Sequence, residues 1–232
     1  MRALSGLLLL ASACAASAQV PEVAWVHDPA RAVYGHAVLG DTPEWHGLSV
    51  TTAGGVKTLW LPEDHVFEDL APRVVQIDDD PAWEVVVVES RFDAGAALAV
   101  YEIAQDGPRL EARTPWIGRR VRWLAPAGIA DLDGDGRVEI AYVETPHIGG
   151  TLRVWRLEDG ALRQIASTWG YSNHRIGQAF IPGGLADCPE GPAIVTADSS
   201  WRVARVTVLT EDGALDSRDA PLEALDRLPA CP

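Results

Sequence analysis

Apolar positions in this chain fall in short runs, and helical spacing is scarce. The runs are Ala37-Val38-Leu39, Leu48-Ser49-Val50, Thr58-Leu59-Trp60-Leu61, Arg73-Val74-Val75-Gln76-Ile77, Glu84 to Val88 and Ala97 to Ile103. Further on come Glu139 to Val143, Thr151 to Leu157, Ala193-Ile194-Val195 and Val203 to Leu209. Turn-forming clusters separate them: Asp79-Asp80-Pro81, Gly149-Gly150, Glu158-Asp159-Gly160 and Glu211-Asp212-Gly213. Many short strands with turn signals at regular spacing predict an all-β domain.

The runs also repeat. Glu139 to Glu144 overlays Glu84 to Glu89 at an offset of 55, and Thr151 to Trp155 overlays Ala97 to Tyr101 at an offset of 54. Looser copies run from Tyr34 to Leu61 and from Pro192 to Leu209. Units of roughly 23–70, 71–125, 126–178 and 179–232, each with room for four strands, predict a small β-propeller of about four blades. A fifth, incomplete blade built from both termini fits the same arithmetic. In the third unit Leu152, Val154 and Leu157 interleave with Arg153 and Arg156. Trp155, Tyr101 and Trp60 end matching strands and are expected to pack between blades.

The sharpest chemistry lies in Asp131-Leu132-Asp133-Gly134-Asp135-Gly136-Arg137-Val138-Glu139. Acids at relative positions 1, 3, 5 and 9 can turn their oxygens toward one centre, and the glycines permit the tight turn. Hard oxygen donors clustered this way suit Ca²⁺, which takes roughly 6–8 of them. An EF-hand begins similarly but needs a Glu at position 12, which is Tyr142 here, within a β-rich run.

Residues Gly128 to Ile140 resemble the FG-GAP/VCBS repeat, which builds β-propellers in secreted and surface proteins around a D-x-D-x-D-G-x-x-[DE] calcium loop. The likeness is strong over about 127–157, partial over 72–103 and faint elsewhere. It implies that Asp131, Asp133, Asp135 and Glu139 ligate Ca²⁺ through side chains and Arg137 through its carbonyl. The ion would brace the blade, since the repeat carries no catalytic residue. The second unit presents Gln76, Asp78, Asp80 and Glu84 at the matching places, with Pro81 replacing Gly. Asp78, Asp80 and Glu84 are therefore expected to form a second, weaker metal site. The fourth unit keeps only Asp187, beside Cys188, so a covalent staple is expected where the third unit has its ion.

Composition narrows the setting. Met1 and Arg2 lead into the apolar run Leu7 to Leu10 and then Ala16-Ser17-Ala18, the pattern of a secretory signal peptide cut after Ala18. A lipoprotein signal ending at Cys14 is the alternative, though Ala11 stands where Leu is usual. Removing Cys14 leaves an even pair, so a Cys188–Cys231 disulfide is expected in an oxidising compartment, the periplasm or outside the cell. No apolar run is long enough to span a bilayer. The formal charge of −14 argues against nucleic-acid or anionic-membrane partners.

No G-x-S-x-G, H-E-x-x-H or P-loop motif occurs, and His27, His36, His46, His65, His147 and His174 are scattered. One cluster stands out: Trp169 to Gly177, with Asn173, His174 and Arg175 between two aromatics. Trp116, Arg119 and Arg120 hold a comparable place after the second unit. Asn173, His174 and Arg175 either form an anion or sugar site at the channel mouth or satisfy turn backbone and a neighbouring blade. The chain is thus expected to be an exported, calcium-braced, non-catalytic module that binds a protein or carbohydrate. The alternative is a propeller hydrolase or lyase acting on an extracellular polymer, with its site near His174.

Overall fold

A computed structural model describes residues 19–78 and 80–232; the expected signal peptide and Cys14 lie outside the described residues. The described chain is all-β, with four antiparallel sheets in sequence order and one short 3-10 helix. The first sheet holds β1 (Glu22–Val26), β2 (Gly47–Thr52) and β3 (Gly55–Trp60). The second holds β4 (His65–Phe67), β5 (Arg73–Val75), β6 (Glu84–Arg91), β7 (Gly95–Ala104) and β8 (Gly107–Arg113). The third holds β9 (Leu124–Ala130), β10 (Glu139–Glu144), β11 (Thr151–Glu158) and β12 (Ala161–Trp169). The fourth holds β13 (Tyr171–Ser172), β14 (Gly184–Cys188), β15 (Gly191–Asp198), β16 (Ala204–Leu209) and β17 (Leu215–Ala220). Among the described residues no helix is long and apolar enough to cross a membrane.

The unbroken apolar runs mark strands buried on both faces. In β6, Val85 and Val87 pack toward the first sheet, while Val86 and Val88 pack toward the third. In β10, Ile140 and Tyr142 face the second sheet, and Ala141 and Val143 face the fourth. This is the period-2 alternation of a strand with a partner on each side. Strand packing joins the first sheet to the second, the second to the third and the third to the fourth. The first and fourth meet through loops, where the Gly177 N–H donates to the Val38 carbonyl at 3.1 Å.

The second and third sheets share a detail of register. A bulge falls between Val100 and Tyr101 in one and between Val154 and Trp155 in the other, again an offset of 54. The expected boundary at 70/71, however, cuts through the second sheet. Its first strand is split: β4 and β5 pair with opposite ends of β6. Between them the buried Asp69 carboxylate accepts the Val88 N–H at 2.8 Å and is held by Arg73 at 2.7 Å. A side chain thus does the work of the missing backbone acceptor. The fourth sheet is split likewise, with β13 and β14 both on β15.

Two expectations are corrected. Ala37-Val38-Leu39 is a turn and not a strand, with Ala37 at φ 51° and Gly40 at φ 64°. Its apolar character reflects burial, because Val38 and Leu39 fill the core between the second and third sheets. Trp60 is half exposed and does not pack between sheets. Tyr101 and Trp155 each face the preceding sheet, and the first sheet has none. At the other end, the helix Leu222–Asp226 and Leu228 cover an alanine-rich face of the fourth sheet. The Cys188–Cys231 disulfide, with Cα atoms 4.9 Å apart, ties this cover down.

Candidate functional site

The first turn of the third sheet runs from Asp131 to Val138, between β9 and β10. Asp131 accepts the N–H groups of Gly134 (2.8 Å) and Gly136 (3.0 Å), and both glycines take positive φ, 79° and 89°. Asp131, Asp133 and Glu139 each bring an oxygen within 4.8 Å of the others. Those donors suit a hard cation such as Ca²⁺. Asp135 turns elsewhere, to Arg137 at 2.8 Å and Arg156 at 3.1 Å. The Arg137 side chain also reaches Glu158 at 3.1 Å.

Arg156, on β11, changes the electrostatics. It is buried, pairs with Glu139 at 2.5 Å and Asp133 at 2.9 Å, and so supplies positive charge from within the chain. Burial raises the Glu139 carboxyl above its usual range, opposed by the Leu132 N–H and by Arg156.

The matching turn of the second sheet lies between β5 and β6, and there Asp78, Asp80 and Glu84 also converge within 4.8 Å. Asp78 and Asp80 are exposed, whereas Glu84 is 1% exposed. Glu84 Oε2 accepts the Ile77 N–H at 2.9 Å, and its buried Oε1 has no hydrogen-bond partner. Burial pushes the Glu84 carboxyl up to about 7, and the charges of Asp78, Glu111 and Asp80 add to it, against the Ile77 N–H. Glu111 is pushed up to about 6 by burial and by Asp78, Glu102 and Asp80. The two acidic turns are neighbours: Ile77 and Asp78 share a cavity of about 110 Å³ with Gly136, Arg137 and Val138. The third such turn, between β14 and β15, carries the cystine at Cys188.

Asn173, His174 and Arg175 do not line one surface. Asn173 is buried and donates to the carbonyls of Ala125 and Pro126, both at 3.1 Å. His174 is buried, with Nε2 3.0 Å from the Gln178 carbonyl and Nδ1 2.9 Å from His147 Nε2. The carbonyl can only accept, so His174 donates from Nε2 and its Nδ1 accepts the hydrogen bond donated by His147 Nε2–H. Arg175 is exposed and stacks over Trp201, 4.3 Å from the ring centroid. Arg120 lies over Tyr34 at 5.5 Å, and Trp116 is flanked by Arg113 at 4.4 Å and Arg91 at 5.2 Å.

Several groupings escape sequence reasoning. His147 and His174 stand 27 residues apart, and no local pattern joins them. Nearby, His36 Nδ1 lies 2.8 Å from the buried Glu68, and Trp123 donates to the Glu68 carbonyl at 2.9 Å. Burial holds the His147 imidazole down to about 4, with His174 and His36 adding to the effect. Glu89 is another: this buried carboxylate meets His65 at 2.5 Å and accepts the Tyr101 hydroxyl proton at 2.9 Å. The only available signal for Glu89 was an acid ending an otherwise apolar run.

No protein-family profile matches the sequence, and no curated protein matches it. Solved structures with a similar course of the chain include a rhamnogalacturonan lyase of Bacillus licheniformis, at 14% identity and TM-score 0.44. Rhamnogalacturonan lyase YesW aligns at 13% identity and TM-score 0.44. Each alignment covers 75% of this chain and 42% of the lyase. Dipeptidyl peptidase 4 of Porphyromonas gingivalis aligns at 14% identity and TM-score 0.41, over 75% of this chain and 24% of the peptidase. The chain thus spans less than half the length of these proteins, and the activities named are theirs.

Proposed function

We propose that this chain is an exported, non-catalytic binding module whose four sheets act as propeller-type blades of the FG-GAP/VCBS kind and whose acidic turns take calcium. The observation that carries the reading is the convergence of Asp131, Asp133 and Glu139, repeated by Asp78, Asp80 and Glu84 in the adjacent sheet. The role of such an ion is to neutralise crowded carboxylates and hold the turn. The disulfide suits an oxidising compartment, which supports export to the periplasm or beyond the cell.

Recognition falls to the opposite end of the sheets, where Ile148, Trp169, Ile176 and Phe180 stand exposed on the connections of the third and fourth sheets. Trp169 is 80% exposed, and an aromatic presented this way suits stacking on a sugar ring or capture of a protein side chain. A His174-centred hydrolase or lyase needs an acid–base pair within hydrogen-bond reach. Both ring nitrogens of His174 are already spent on His147 and Gln178. The test is binding of soluble polysaccharides and secreted proteins to the chain and to Trp169→Ala. The expected result is a ligand whose affinity drops about tenfold in the variant, a loss of roughly 1.4 kcal/mol. Turnover of any polymer abolished by His174→Gln in a folded variant would overturn the non-catalytic reading.

A further inference from the structure

The two acidic turns are built alike but are not electrostatically alike. Glu139 of β10 stands opposite Arg156 of β11, whereas Glu84 of β6 stands opposite Glu102 of β7. One turn therefore has a built-in cation where the other has a further acid. A second difference lies at the shared bulge. Ile165 is the extra residue between Gln164 and Ala166 in the third sheet, and Glu111 is the extra residue between Leu110 and Ala112 in the second. Bulges re-aim side chains, and here the bulge presents a carboxylate where its counterpart presents an apolar group. Glu111 Oε2 is sealed from solvent without a hydrogen-bond partner, as is Glu84 Oε1.

Asp78, Asp80 and Glu111 thus lie within electrostatic reach of Glu84, and Glu102 lies within reach of Glu111. Among the described residues none of the five makes an ion pair within 4.0 Å, and Arg109, which stands opposite Glu102 on β8, pairs with Asp106 instead. An unpaired buried carboxylate oxygen is costly, and two close together favour uptake of a cation or a proton.

We propose that the Asp78–Asp80–Glu84 turn, with Glu111 on the bulge of β8 adding negative charge nearby, is the preferred calcium seat of this protein, and that Arg156 takes the ion's place at the Asp131 turn. The inference rests on the reading that acidic turns take calcium, and it reverses the order expected from their sequences. The motif-rich turn satisfies its own charge; the motif-poor turn does not. Three converging carboxylates of one turn give hard oxygen donors with the adaptable geometry that Ca²⁺ accepts and Mg²⁺ does not.

Calorimetric titration of Ca²⁺ into the exported chain tests this, with Tb³⁺ luminescence sensitised by the adjoining Trp83 as a second readout. The expected result is one tighter site that Glu84→Gln weakens at least tenfold and Glu111→Gln weakens several-fold, while Asp133→Asn leaves it within about twofold. Thermal melts of each variant without metal establish that it folds. A tighter site lost in Asp133→Asn and retained in Glu84→Gln overturns the inference and leaves the calcium reading standing. A chain that binds no Ca²⁺ up to millimolar concentration overturns both.

Discussion

Arg156 sits among the carboxylates of Asp133, Asp135 and Glu139, and its removal would leave Glu139 buried without a charge partner. Breaking such a pair by deleting one member costs about 3–5 kcal/mol. Arg156→Met is therefore expected to lower stability by that amount in denaturant titration without metal, and Ca²⁺ is expected to recover part of the loss. Equal stability of variant and parent would contradict this. Histidine titration gives a second test at this scale. His147 titrates at about 4 in the fold against an ordinary 6.5, so the unfolded chain takes up its proton first. The stability it contributes is complete above pH 6.5 and is lost as pH falls toward 4. Glu84 and Glu111, raised to about 7 and 6 from 4.5, act in the opposite sense and add stability as pH falls through those values. Comparing variants separates the two: His147→Gln should flatten the acid limb of the melting profile by about 5 °C, and parallel curves would exclude the assignment. The convergence of Asp131, Asp133 and Glu139 was legible from spacing, because they belong to one turn, whereas the turning of Asp135 to Arg137 and Arg156 was not. Arg156 and Glu111 were not, since their roles depend on cross-strand register and on a bulge.

At the scale of elements, the sequence revealed the central strands and the outer strands β3 and β5, and missed most of the other outer ones. β6, β7, β10 and β11 are buried on both sides and read as continuous apolar runs. The fourth strands β8, β12 and β17 carry Arg109, Arg163, Asp216, Arg218 and Asp219 on half-exposed ribbons, so their pattern is mostly polar. Charges there suit free sheet edges, which must resist pairing with another chain. The split first strands were hidden for a different reason: Asp69 replaces a backbone acceptor, and nothing in its sequence neighbourhood signals that. The cystine follows from counting cysteines, whereas its purpose becomes visible only with the tail in place. It holds Leu222–Asp226 and Leu228 over the alanine face of the fourth sheet. Reduction, or paired Cys188→Ala and Cys231→Ala replacement, should cost roughly 2–4 kcal/mol. Limited proteolysis should then cleave first beyond Ala220; an unchanged cleavage pattern would mean the cover holds without its staple.

Across the whole molecule, four sheets stand side by side, with a face of the fourth covered by the tail and, at the other end of the array, Trp60 half exposed beneath Arg31. The acidic turns follow the first strands of the second and third sheets, and the exposed aromatic and aliphatic residues gather at the far ends of the third and fourth. That separation divides the proposed labour: calcium stiffens one end, and recognition happens at the other. A ligand that binds only the folded chain must raise its melting temperature by mass action. At 100 times its dissociation constant, Ca²⁺ would add about 2.7 kcal/mol, which is roughly 5–10 °C for a domain of this size. The most direct measurement is therefore a calorimetric melt of the protein in chelator and in increasing Ca²⁺. A midpoint that climbs with calcium and returns on chelation is the predicted result. Superimposable melts in chelator and in millimolar Ca²⁺ would contradict the calcium-braced account.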